Sequence, residues 1–291
     1  MKEENIISKG VNTLKQEGIT AFVKKSSQYI SEIPFRATRR RFPALYYPAA
    51  EKWYRYTKNF DTDNWDAPLN PYKVAWINPE EIEKMTGREM LLPLEERREK
   101  FGSVKDGRWD VSEDVIFGSF MEDVFGNNMW AYRMLIDKNF EETVFFQSCK
   151  SHFKNEKDWE NTVFYNNIVK GFEKGKPGMP GYGSNKEEFK QRLSYLDSLY
   201  TNIENNGMYR EEEVNKRSFS NTVSWSILAD ISRDGEFLFV EGRRRLTIAK
   251  LLDIEKVPVR IQIRHSKWMD YRDKVYNEEL SEKHPDFAEF Q

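Results

Sequence analysis

The sequence predicts an α+β fold: a small mixed sheet with packed helices, extended by a helical insertion and a helical N-terminal arm. Three stretches carry that expectation. Val257, Val259, Ile261 and Ile263 alternate with Pro258, Arg260, Gln262 and Arg264, the period-two pattern of a half-exposed strand. Phe189, Leu193, Leu196, Leu199 and Ile203 recur at helical spacing and stop at Gly207, a residue suited to a helix C-terminus. Between them, Phe237-Leu-Phe-Val-Glu-Gly242 reads as a strand that turns directly into an amphipathic helix opened by Arg243, Arg244 and Arg245.

Taken in chain order, residues 1–68 form a basic arm. A helix is expected over 5–31, with Ile7, Val11, Leu14 and Phe22 near one face, although Gly10 and Gly18 weaken it. Residues 1–60 hold 12 Lys/Arg against 5 Asp/Glu, whereas the whole chain has a net charge of −2. A basic arm on an acidic body suits a polyanionic partner, either nucleic acid or an acidic membrane face. Arg36, Arg39, Arg40 and Arg41 interleave with aromatic residues. That pattern fits phosphate contact with stacking; it fits somewhat better an arm that packs its aromatics on the body and leaves its arginines solvated.

Residues 61–71 are turn-rich and mark a boundary. The segment 69–118 is expected to supply the first strand of the core and an acidic loop region. Tyr72–Ile77 reads as that strand, stopped by Asn78-Pro79. Residues 79–85 read as helical, 91–100 as a charged helix or loop, and 102–114 as loop. The helical insertion, 119–184, belongs to a mostly helical stretch over 115–174, with Phe117, Phe120, Met121, Phe125, Trp130, Tyr132 and Met134 as packing stripes. It ends in a Gly/Pro-rich connector or lid, Gly175-Lys-Pro-Gly-Met-Pro-Gly-Tyr-Gly183. The core proper is expected over 185–268. It comprises the 185–206 helix, strands at 225–231 and 236–240 joined across Ser232-Arg-Asp-Gly235, the 243–252 helix and the last strand. Residues 269–291 are expected to be a tail.

Composition narrows the classes. At 291 residues with 38% hydrophobic and 14% aromatic content, the chain can bury a sizeable core. A single cysteine, Cys149, excludes an internal disulfide framework and fits a reducing cytoplasm. No run of 18 apolar residues suggests a transmembrane segment, and the N-terminus lacks the apolar block of a secretory signal.

The strongest chemical signal is the cationic helix start. Helix N-termini carry partial positive charge, so each cation there is disfavoured by up to about 1 kcal/mol. Three consecutive arginines break that rule, and an anion would resolve the conflict: orphan backbone N–H groups and the dipole already favour one. Glu241, Gly242, Arg243, Arg244 and Arg245 are therefore candidate phosphate-site residues, with Thr247 a possible hydroxyl donor. Arg245 has a second reading, as an anchor to a core carboxylate such as Asp230.

At these residues the chain resembles the ParB/sulfiredoxin superfamily. Gly242-Arg-Arg-Arg-Leu-Thr-Ile-Ala249, with Val257-Pro-Val-Arg-Ile261 after it, is similar to the family's G-E-R-R-x-x-A phosphate motif and the strand that follows. Leu196–Gly207 is similar to the helix ending in S-I-x-x-x-G, and Asn70–Ile82 to the first strand and its exit. The wider layout, including Gly107-Arg-Trp-Asp110, resembles archaeal proteins with a ParB-like C-terminal half.

The resemblance implies nucleotide binding, with hydrolysis or phosphoryl transfer as extensions. A nucleoside triphosphate would bring Mg²⁺, for which Asp110 and Asp114 are the candidate ligands. Small-molecule kinases of the superfamily use a carboxylate near the first strand as base, and Glu80 and Glu81 stand at the comparable place. Sulfiredoxin chemistry is not expected, because Arg243 occupies the position of that family's cysteine. Partition-protein chemistry is in doubt too: Gly207-Met-Tyr-Arg-Glu211 lacks the glutamine and proline of G-x-x-Q-P, and no helix-turn-helix follows. A non-catalytic nucleic-acid-binding protein of the same class is the competing expectation. His152, His265 and His284 form no metal motif, and His265 is expected at the surface.

Overall fold

The computed structural model describes residues 64–69, 73–87, 102–110, 129–135, 137, 139–178, 181–208, 227–288 and 290. The expectations for the 5–31 helix, Arg36, Arg39, Arg40 and Arg41, the 91–100 segment, Asp114 and the Phe117–Phe125 stripe lie outside them. Among the described residues the strands are β1 (Val74–Ile77), β2 (Lys84–Met85), β3 (Ser103–Lys105), β4 (Ile227–Ile231), β5 (Phe237–Glu241) and β6 (Val257–His265). The helices are α1 (Met129–Tyr132), α2 (Val144–Phe153), α3 (Val163–Glu173), α4 (Lys186–Asn206), α5 (Arg243–Leu251) and α6 (Ser266–Asn277).

These strands make one mixed sheet in the order β1-β6-β4-β5-β2. β6 runs parallel to β4 on one side. Along its other side the first half pairs antiparallel with β1, Val74 opposite Arg260, and the second half pairs parallel with β3, Lys105 opposite His265. β4 and β5 form the expected hairpin. Its turn closes through Gly235 N–H to the Ser232 carbonyl at 3.2 Å and Glu236 N–H to the Ser232 hydroxyl at 2.9 Å. Gly235 has φ +89°, and a Cβ there would stand 2.5 Å from the Trp268 ring, so the turn requires glycine twice over.

The insertion is not one long helix, because capping side chains cut it. Thr143 accepts from Phe146 N–H to start α2, and Thr162 accepts from Tyr165 N–H to start α3. Asn185 starts α4 by accepting from Glu188 N–H, and Gly207 ends it with φ +73°, as its sequence position suggested. Phe145, Phe164 and Phe189, one from each helix, meet edge to face inside the core.

Five expectations about the fold need correction. Residues 79–85 are a three-residue 3-10 turn, Pro79–Glu81, followed by β2, which adds to β5 in parallel. Residues 103–105 are a strand rather than a loop, held by β6. β6 is buried along its whole length, not half exposed. The reason is the fourth correction: residues beyond 268 are no free tail. α6 and the 285–287 turn cover the sheet face that carries Arg264, and Asp286 neutralises that arginine. His265 is likewise wholly buried rather than at the surface, where its Nδ1 accepts from Lys267 N–H at 3.1 Å as the cap of α6.

Candidate functional site

β5 delivers the chain to Gly242, whose left-handed conformation (φ +92°) turns it sharply into α5. The Gly242 carbonyl accepts from Arg245 and Leu246 N–H at 3.0 and 3.1 Å, so the helix is wound from its first residue. Gly242 has no side chain with which to cap this end, and no acidic residue lies in the first turn. Backbone N–H groups at such a start are left for an external acceptor.

The arginines at this end are half buried and differently held. The Arg243 guanidinium lies over the Phe239 ring, 5.3 Å from its centroid. Arg244 stacks on Tyr182 at 4.7 Å, and its Nη2 donates to the Gly181 carbonyl at 2.5 Å. Among the described residues no carboxylate pairs with Arg244; its partners are an aromatic face and a peptide oxygen. Burial pushes the Tyr182 hydroxyl pKa up, and the nearby Arg244 and Arg243 charges partly oppose it. Glu241, Arg243 and Arg245 are each engaged in further contacts. Asp230 is wholly buried, accepting from the Thr86 hydroxyl at 2.8 Å and from Ile263 N–H at 3.1 Å.

Thr247 does not serve an external ligand. It is wholly buried, and its hydroxyl has no hydrogen-bond partner among the described residues. It lies on nearly the same helix face as Arg243, one turn further along, where the core encloses it. Glu80 and Glu81 also stand apart from the arginines. Glu80 pairs at 3.2 Å with Lys250, in the last turn of α5, and the same buried ammonium holds Glu141 at 2.9 Å. Glu81 accepts from Asn78 N–H at 3.3 Å in a capping box, so one acid ties the turn to α5 and the other caps the turn itself.

Asp110 does not fit a cation site. Arg233 grips it at both oxygens, Nη2 to Oδ1 at 2.7 Å and Nε to Oδ2 at 2.9 Å, and adds its backbone N–H at 2.8 Å. Burial raises this carboxyl, but the Arg233 hydrogen bonds win and hold it below the ordinary range. His265 Nε2, 3.8 Å away, bonds the Gly107 carbonyl at 2.9 Å instead. This cluster pins the 106–110 turn to the hairpin end of β5, the length of that strand (roughly 17 Å) from Gly242. Among the described residues no group of three or more His, Cys, Asp or Glu is placed to hold a metal ion.

The structure therefore brings Gly242, Arg243 and Arg244 together and separates them from Glu80, Glu81, Asp110 and Thr247. Sequence reasoning missed Gly181 and Tyr182; the available signal was one aromatic residue between two glycines. No helix among the described residues is long and apolar enough to cross a membrane. A scan against protein-family models and searches of curated proteins and of solved structures found no match.

Proposed function

We propose that this chain binds a phosphorylated ligand, foremost a nucleoside triphosphate, at the start of α5 in a ParB/sulfiredoxin-like domain. One observation carries the reading: among the described residues, the partners of Arg244 at the start of α5 are neutral, a tyrosine ring and a peptide oxygen. A guanidinium kept for structure is ordinarily matched by a carboxylate, because an unmatched charge is costly to desolvate. A phosphate at this place would take that guanidinium, the orphan N–H groups and the dipole together. The strand–glycine–helix order and the parallel β4–β6 pair around it support the family likeness. Phosphoryl transfer has less support, since Glu80 is tied to Lys250 and Asp110 to Arg233.

Thermal denaturation of the full chain with ATP, GTP, CTP and UTP, each with and without Mg²⁺, tests this directly. A specific ligand stabilises the folded state by mass action, about 2.7 kcal/mol at one hundred times its Kd. The expected result is a saturable rise in melting temperature for at least one nucleotide, lost in Arg244→Ala. Should every nucleotide leave the melt unchanged, while duplex DNA binds with a steep salt dependence carried by Arg36, Arg39, Arg40 and Arg41, the nucleic-acid reading replaces it.

A further inference from the structure

The glycines flanking Tyr182 fix what this ring can do. Gly181 and Gly183 have φ +82° and +93°, conformations closed to most side chains, so the strap bends on both sides of the tyrosine. A Cβ on Gly183 would approach Glu188 Cβ to 2.6 Å, which places the strap hard against the start of α4. There Ser184 N–H donates to Glu188 Oε2 at 2.8 Å. The Tyr182 ring in turn meets Phe145 and Phe164 edge to face, with centroids 5.9 and 5.3 Å away. The ring under Arg244 is therefore rigid, seated in the helical layer rather than on a free loop.

We infer that Tyr182, together with the Gly181 carbonyl, is the positioning device of the phosphate site. This rests on the reading of the α5 start as an anion site. The geometry supplies what such a device needs. An arginine is a long, flexible side chain, and ordering it at the moment of binding weakens affinity. The ring supports the guanidinium from one side, and the bond to the Gly181 carbonyl holds it at Nη2. Neither partner carries a negative charge, so the cation keeps its attraction for an incoming anion. A guanidinium has five N–H donors, and the bond to Gly181 engages a single nitrogen. Positioning also runs both ways: whatever holds Arg244 must itself be held by Arg244.

Two measurements on the full chain decide this. Without ligand, Arg244→Ala is expected to raise amide hydrogen exchange at residues 181–184 by roughly tenfold, since it removes the stack and the carbonyl bond. In calorimetric titrations with inorganic pyrophosphate, Tyr182→Phe keeps the ring and loses only the hydroxyl's contact with Arg244, so it should bind within about threefold of the wild type. Tyr182→Leu removes the π face and should bind roughly tenfold more weakly, with circular dichroism unchanged. Unchanged exchange in Arg244→Ala overturns the inference whatever Tyr182→Leu does, including failure to fold. Equal pyrophosphate affinity in a folded Tyr182→Leu overturns it as well. Loosened strap amides in a protein whose wild type ignores pyrophosphate would sink the anion-site reading instead, and leave Tyr182 as core packing.

Discussion

Arginine is used in two ways in this molecule, and the contrast lies between the α6 face of the sheet and the start of α5. On the α6 face, Arg264 and Arg272 converge on Asp286, with Arg264 Nε 3.0 Å and Arg272 Nε 3.0 Å from Oδ2. Trp268 Nε1 donates to the same oxygen at 2.9 Å, and all three charged side chains are almost fully buried. At the start of α5, Arg244 has a ring and a peptide oxygen and, among the described residues, no acid. The first arrangement neutralises charge in order to close a core. The second orients charge without cancelling it, which serves a ligand better than it serves stability.

The largest expected effect breaks the first arrangement. Asp286→Ala leaves two buried guanidinium groups without their carboxylate and should cost about 3–5 kcal/mol in chemical denaturation. Acid should do the same more gradually. Burial alone would raise the Asp286 carboxyl, but the Arg264 and Arg272 charges and the Arg264 and Trp268 hydrogen bonds hold it far below the ordinary value. Its folded pKa is depressed, so its contribution is complete above the unfolded value of about 4 and declines as pH falls below that. Stability measured against pH should show this acid decline in the wild type and lose most of it in Asp286→Ala.

Gly183→Ala comes next. The left-handed backbone alone should cost about 1–2 kcal/mol, and the crowding against Glu188 adds to it; urea titration reads the sum. Arg244→Ala sharpens the comparison most. Losing one exposed-edge stack and one carbonyl bond should lower stability by no more than about 1–2 kcal/mol, while nucleotide-induced stabilisation disappears. A loss as large as that of Asp286→Ala would make Arg244 structural and erase the contrast. The smallest effect is expected for Thr247→Val, which replaces a buried hydroxyl without a partner by a methyl group. Thermal denaturation should show no loss, or a gain of up to about 1 kcal/mol.

Elements with a local cause were legible in the sequence. The α4 boundaries follow from Asn185 and Gly207, the hairpin from Ser232-Arg-Asp-Gly235, and the α5 start from Gly242. Asp253, just past the end of α5, adopts φ +52°, a left-handed conformation that aspartate tolerates. Elements that exist only through a distant partner were not legible. β2 and β3 have two and three residues and almost no pattern of their own; β5 and β6 hold them in place. The polar residues of β6 suggested an exposed face because nothing nearby in sequence announces that Asp286 returns to cover it. Asp110 looked free for a metal for the same reason, since Arg233 is 123 positions away.

By itself the sequence determined the α+β class, the strand–glycine–helix unit and the crowding of positive charge at its helix start, because each depends on periodicity and on residues within one or two turns. Only the tertiary structure decided which charges are answered and by what. Arg233, Arg264 and Lys250 find carboxylates across the fold, whereas Arg244 finds Tyr182. Pairing is a matter of a few ångströms in space, and separation along the chain places no constraint on it.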